Sequence, residues 1–286
     1  MKKRLAAFDL DGTLLTDRKT ITEQTREAVR RAIESGIQVA FCTGRTRLEC
    51  VDVIEALPEV RYLVASSGAR VWDLHENRVA AEDCFPPEIS KALVDRLVRF
   101  HVLASVFTVD RIAVQPEWRG QYAKHFDDVW APHFERFYTP VDDYLNYAAG
   151  GHGAVEKIFA VFLSREERDA AWKAIEGIPC ESGDSAADNL ELTPKGVDKG
   201  KGLARLAEML DVAREDVAAA GSFPCRRICW RAFRCTWRWA PTRSPPALEP
   251  PFPRRASSKT ATSTGSWAFR RSRWRWSDPL LGRASS

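Results

Sequence analysis

The chain has 286 residues, 44% hydrophobic and 29% charged, enough apolar material for a buried core spread over two domains, and wholesale disorder is excluded. No apolar run is long enough to span a bilayer. Met1-Lys2-Lys3-Arg4 opens onto a short apolar stretch broken by Asp9 and Asp11, so a soluble cytoplasmic protein is expected. Seven cysteines without a C-x-x-C pair read as free thiols in a reducing compartment. The net charge of +4 averages two unlike segments. Residues 222–286 carry thirteen Arg and one Lys against Glu249 and Asp278, a net +12, which leaves −8 for residues 1–221. The same segment holds six of the ten Trp and eight of the sixteen Pro, a change of composition that a globular domain rarely shows.

In chain order, Leu5 to Phe8 is a short apolar run, read as a buried strand that ends in the loop Asp9-Leu10-Asp11-Gly12-Thr13. Thr22 to Glu34 is an amphipathic helix with Val29 and Ile33 on one face, stopped by Gly36. Ile37 to Cys42 is a second buried strand, followed by Thr43-Gly44-Arg45 and a helix running toward Leu57. Tyr62 to Ala65 is a third strand, ending at Ser66-Ser67-Gly68. Strand and helix alternating through short connections predict a parallel sheet covered on both faces. Between Cys84 and Asp184 the pattern changes. A helix at Leu93 to Phe100, an antiparallel pair at Val102 to Phe107 and Arg111 to Val114, a strand at Val155 to Leu163 and a helix at Arg165 to Ile175 predict an inserted α+β module. Leu190 to Leu192, the helix Lys201 to Leu210 and the strand Val217 to Ala220 are expected to resume the first alternation.

Asp9 and Asp11 stand two apart where the first strand ends. On a pleated backbone that spacing turns both carboxylates toward one crevice, the place where open parallel sheets bind ligands. Gly12 permits a sharp turn, and Thr13 adds a hydroxyl and an amide suited to an anion. Taken alone, the pair is also consistent with an acidic strand-to-loop turn. Thr43-Gly44-Arg45 is expected to open a helix whose free amides and positive dipole end favour phosphate, or to act as an ordinary cap. Lys199, in the loop entering the next helix, is placed to neutralise a phosphoryl group or to sit solvated at the surface.

Together and in this order, Asp9-Leu10-Asp11-Gly12-Thr13-Leu14-Leu15, Thr43-Gly44-Arg45 and Lys199-Gly200 resemble the first three motifs of the haloacid-dehalogenase-like hydrolases. The likeness is to the Cof-type subfamily IIB phosphatases, whose cap is inserted after the second motif. Ser67-Gly68-Ala69, where relatives usually have Asn-Gly-Ala, and Glu156-Lys157-Ile158 add to it, and it covers residues 1–221. The resemblance implies an α/β fold: a Rossmann-like core with a parallel sheet and an inserted α+β cap. The expected division is core over 1–83, cap over 84–184, core again over 185–221, and an aberrant tail over 222–286. It also implies magnesium-dependent hydrolysis of a small phosphorylated metabolite, a sugar phosphate or similar, through an aspartyl-phosphate. Asp9 would be the nucleophile and Asp11 the acid and base. Thr43, Gly44 and Lys199 would bind the phosphoryl group, and Gly12, Arg45, Ser67 and Gly68 would contact substrate. Mg²⁺ would sit on the Asp9 carboxylate and the Asp11 backbone carbonyl. Phosphomannomutase-like phosphotransfer uses the same first motif and stays open as an alternative.

The family's fourth motif, Gly-Asp-x-x-x-Asp, supplies a further metal carboxylate after a strand matching Val217 to Gly221. Here Gly221-Ser222-Phe223-Pro224 follows, with no Gly-Asp pair in the tail. Impaired activity is expected, because a hydroxyl is a poor magnesium ligand. A reading-frame shift near Gly221 accounts for the missing motif and for the Arg, Pro, Trp and Cys excess together. Read from the third base of the Thr236 codon, permitted codons for Trp237 to Ser244 spell Val-Ala-Leu-Gly-Pro-Asn-Ala-Val. The same offset over Ser258 to Trp267 permits Glu-Asp-Gly-Asp-Val-Asp-Gly-Val-Leu-Gly, and both resemble late segments of the family. The rival reading makes the tail a nucleic-acid or membrane-binding element, with Arg226, Arg227, Arg231, Arg234 and Arg238 interleaved with Trp230, Trp237 and Trp239. On the main reading neither nucleic acid nor membrane is a partner. Cys42 and Cys50 read as buried thiols, and His101, His125, His133 and His152 as cap residues on the surface, in packing or at a pocket. Trp118, Trp130 and Phe134 to Tyr138 read as cap core.

Overall fold

The fold is known from a computed structural model, which describes residues 3–118, 130–183 and 188–221. His125 and every expectation for the tail from Ser222 lie outside the described residues. The first sheet contains β1 (Arg4–Phe8), β2 (Ile37–Cys42), β3 (Tyr62–Ala65), β4 (Arg70–Asp73), β5 (Arg78–Glu82) and β12 (Val217–Ala220), in the order β12-β1-β2-β3-β4-β5. The neighbours from β12 to β3 are parallel, as the alternation predicts. The antiparallel hairpin β4–β5 carries no comparable apolar run and is an addition to the sequence reading.

Period-two alternation sends successive side chains of the central strands to opposite faces. Ala40, Cys42, Tyr62 and Val64 pack with Leu203 and Leu206 of α7 (Lys199–Met209). Val39, Phe41, Leu63 and Ala65 pack with Val29 of α1 (Glu23–Glu34) and Val53 of α2 (Val51–Ala56). The sheet is therefore covered on both faces, with α1 capped by the Thr22 side chain and ended at Gly36 (φ 80°).

The second sheet runs β10-β11-β9-β6-β7-β8. Its strands are β6 (Val102–Phe107), β7 (Ile112–Val114), β8 (Tyr138–Pro140), β9 (Lys157–Phe162), β10 (Cys180–Gly183) and β11 (Asn189–Pro194). One face is buried under α3 (Pro87–Leu97), α5 (Tyr144–Ala148) and α6 (Arg165–Ala174), through Leu93, Leu97, Tyr144, Ala171 and Ile175. The other face carries α4 (Ala131–Phe137), with Phe134 against Leu103 and Val161. The strand Leu190 to Leu192, expected to resume the first alternation, lies here instead. It pairs antiparallel with β9, and Leu190 and Leu192 fill this sheet's own core. The chain therefore returns to the first sheet only through α7 and β12. No helix among the described residues is long and apolar enough to cross a membrane.

Candidate active site

β1 ends at Phe8, so Asp9 and Asp11 both belong to the loop that follows, in which Gly12 turns the chain at φ 70°. Asp9 is 4% exposed. Its Oδ1 accepts from the Leu10 amide and from Lys199 Nζ, each at 2.9 Å. Burial raises the Asp9 pKa and Lys199 opposes that rise. Lys199 is the first residue of α7 rather than a loop residue, with Asp198 as the N-cap. The close approach of α7 to the loop Ser66–Gly68 puts the lysine there. A Cβ on Gly202 would lie 2.6 Å from Val64 Cγ1, and a Cβ on Gly68 only 2.0 Å from the Asp198 carbonyl.

Asp11 is gripped by two cations. Arg45 donates from Nε (2.8 Å) and Nη2 (2.7 Å) to the two carboxylate oxygens, and Lys19 Nζ lies 2.9 Å from Oδ1. Burial alone would raise the Asp11 pKa, but Arg45 and Lys19 together hold it below the usual carboxylate range. In this geometry Asp11 is held in its ionised form, gripped by Arg45 and Lys19. Three cations face two carboxylates here, an excess of positive charge that favours an anionic ligand.

Thr43 is buried, and its hydroxyl accepts from the Arg45 amide (3.1 Å). Thr43-Gly44-Arg45 leads into a helical turn, Leu48–Cys50, that continues as α2 from Val51, and a reciprocal cap marks its start: the Thr46 amide donates to the Glu49 carboxylate at 2.7 Å and the Glu49 amide to the Thr46 hydroxyl at 3.3 Å. The loop is also zipped to its neighbour, with Ser66 and Ser67 amides donating to the Arg45 and Thr43 carbonyls at 2.9 and 3.0 Å. Ser67 sits at φ 54° and donates to Glu191 of β11.

The second sheet brings to this loop cluster Glu191, which the sequence reading did not single out, and Lys157, which entered it only within the Glu156-Lys157-Ile158 resemblance. Lys157 and Glu191 project from the face opposite the Leu190 core. Lys157 Nζ donates to the Gly44 carbonyl at 2.6 Å and lies 3.6 Å from Glu191 Oε1. Trp130, expected as cap core, packs against that small core but also stands over the clamp, its ring centroid 4.1 Å from Lys19 Nζ and 5.5 Å from the Arg45 guanidinium carbon. His133 lies 2.9 Å from buried Glu49, whose pKa His133 and Lys157 lower against burial. His101 and His152 pair with Glu167 and Asp143 at the surface. At the base of the second sheet, Arg70 bridges Glu82 (2.9 Å) and buried Glu156 (2.7 Å).

For a divalent cation, the available donors are the Asp9 carboxylate and the Asp11 carbonyl. Both are hard oxygens, and Mg²⁺ binds through one or two carboxylates plus phosphate and water, so the donor chemistry fits. No group of three or more Asp, Glu, His or Cys able to hold a metal occurs among the described residues.

The fold and this loop cluster define a hydrolase class that comparison with known proteins identifies. The family model for haloacid dehalogenase-like hydrolases matches residues 6–222, and the chain belongs to that family, among its Cof-type members. It is 25% identical over 222 residues to a 5-amino-6-(5-phospho-D-ribitylamino)uracil phosphatase of Bacillus subtilis, covering 76% of each chain. It is 27% identical over 225 residues to a pyridoxal phosphate phosphatase of Escherichia coli, covering 77% of this chain and 82% of the relative. A solved haloacid dehalogenase-like hydrolase from B. subtilis superposes with a TM-score of 0.67 at 23% identity, over 77% of this chain and 83% of that one.

Proposed function

We propose that the chain is built to hydrolyse a small phosphorylated metabolite, a sugar phosphate or similar phosphomonoester, through a covalent aspartyl-phosphate. The observation that carries this reading is Asp9: a buried carboxylate at the end of β1, held by Lys199 at 2.9 Å, beside a second carboxylate kept ionised by Arg45 and Lys19. In the first step an Asp9 oxygen attacks phosphorus, and the bond to the ester oxygen breaks. Lys199, Thr43 and the Gly44 backbone steady the phosphoryl oxygens as charge redistributes. The departing oxygen takes a proton from Asp11, which requires Arg45 and Lys19 to release that carboxylate and the freed group to take up a proton from solvent first. In the second step water attacks the acyl phosphate while Asp11 accepts its proton, the role its present surroundings favour. Gly12, Ser67 and Gly68 shape the walls that meet the substrate. Asp9 and the Asp11 carbonyl would hold Mg²⁺, which would supply charge neutralisation there.

The composition of residues 222–286 supports reading them as out-of-frame, with the further metal carboxylate of the fourth motif lost and turnover reduced in consequence. A magnesium-dependent assay over a panel of phosphomonoesters, run on this chain beside a frame-restored chain and Asp9→Asn, tests both statements. The restored chain is expected to turn over, the present chain more slowly, and the variant not at all. Activity that survives Asp9→Asn refutes the mechanism, and equal rates in the first two refute the account of the tail.

A further inference from the structure

A cleft of about 410 Å³ lies between the two sheets' domains, and its lining includes neither Asp9, Asp11, Arg45 nor Lys199. Arg47 and Val51 line it from the first domain, and Asp110, Arg111, Arg136 and Phe137 line it from the second. Three guanidinium groups face one carboxylate. Arg136 is matched by Asp52 at 2.7 Å, and Asp110 accepts from Thr108. Neither Arg47 nor Arg111 forms an ion pair with a carboxylate among the described residues.

Arg47 is nevertheless fixed. Its guanidinium stacks over Trp72 (5.1 Å to the centroid), its Nη2 donates to Asn77 Oδ1 at 2.7 Å, and its Nε is buried without a hydrogen-bond partner. An arginine held by an aromatic ring and a neutral amide keeps its full charge and a preset geometry, the arrangement suited to phosphate or carboxylate. The Asp9 chemistry uses none of these groups.

We propose that this cleft is a second anion site, taking a phosphate or carboxylate group between Arg47 and Arg111. Because its walls come from both domains, an anion held there also favours their closed arrangement. The ligand is either the far end of a doubly anionic substrate or a separate anionic effector. The chemistry that recognises them is the same.

The test uses the full chain with ¹⁵N-labelled Trp, the Trp72 indole reporting the cleft beneath Arg47 and the Trp130 indole reporting the Asp11 clamp. Titration with inorganic phosphate is expected to shift Trp72 saturably. Arg47→Gln and Arg111→Gln should each weaken that titration about tenfold, the loss of one charge-assisted contact, while the Trp130 response stays put. A phosphonate carrying a terminal carboxylate that moves both indoles as a single 1:1 ligand identifies the far end of substrate. Phosphate that still saturates Trp72 with methylphosphonate filling the other site identifies an effector. No saturable shift at Trp72, or a shift insensitive to both substitutions in folded protein, overturns the proposal. Failure of the Asp9 mechanism would leave the Trp72 titration intact.

Discussion

Replacing Gly202 by Ala tests the packing that delivers Lys199 to Asp9. The added Cβ would stand 2.6 Å from Val64 Cγ1 and 2.8 Å from the Gly68 Cα. Ordinary carbon contacts lie at about 3.5–4.0 Å, so α7 and its neighbours must separate by about 1 Å. Neither neighbour yields easily. Val64 is fully buried in a central strand, and Gly68 is pinned at φ 103° against the Asp198 carbonyl. Overpacking of this kind costs about 1–3 kcal/mol, and the better helix propensity of Ala returns about 1 kcal/mol. The expected net effect is a loss of up to about 2 kcal/mol. It would be read as a lower urea midpoint, accompanied by weaker phosphate binding because Lys199 moves with the helix. A midpoint that is unchanged or raised would show that helix propensity dominates and that the close approach is not needed.

Four further outcomes follow from the same geometry. Arg45→Met and Lys19→Met each remove a cation that lowers the Asp11 pKa against burial, so that pKa rises and the basic limb of the kcat/KM profile, which reports Asp11 as the acid of the first step, moves to higher pH. The same depressed pKa means that Asp11 contributes stability above its unfolded pKa, lost as pH falls through the folded value, so the stability gap between the parent and Asp11→Asn should close in acid. His133→Ala takes a partner from buried Glu49 at the junction of the two domains, costing about 1–3 kcal/mol of closure; solution scattering should report a larger radius of gyration. Arg70→Met strands Glu156, 2% exposed, without its counter-charge, and a loss of about 3–5 kcal/mol in denaturant unfolding is expected.

The parallel strands were legible because a strand buried on both faces reads as an uninterrupted apolar run, as Ile37–Cys42 and Tyr62–Ala65 do. The hairpin β4–β5 was not, because Arg70 and Asp73 interrupt its pattern. Both are buried only because Glu156, Glu82 and Arg61 pair with them from elsewhere in the chain. The sheet membership of Leu190–Leu192 is likewise a tertiary fact, since two alternating leucines fit either core. In the site, Asp9, Asp11, Thr43 and Lys199 stood out through motif order. Lys19, Glu49 and Glu191 carry no local signal, and the clamp placement of Trp130 depends on how the second domain meets the first.

The central statement is that Asp9 receives the phosphoryl group. The most direct measurement is ¹⁹F NMR of the frame-restored chain with beryllofluoride and Mg²⁺, which forms a phosphate-like adduct on a nucleophilic carboxylate. Bound-fluoride resonances that vanish in Asp9→Asn are predicted, and their absence from the restored, folded chain would contradict the assignment.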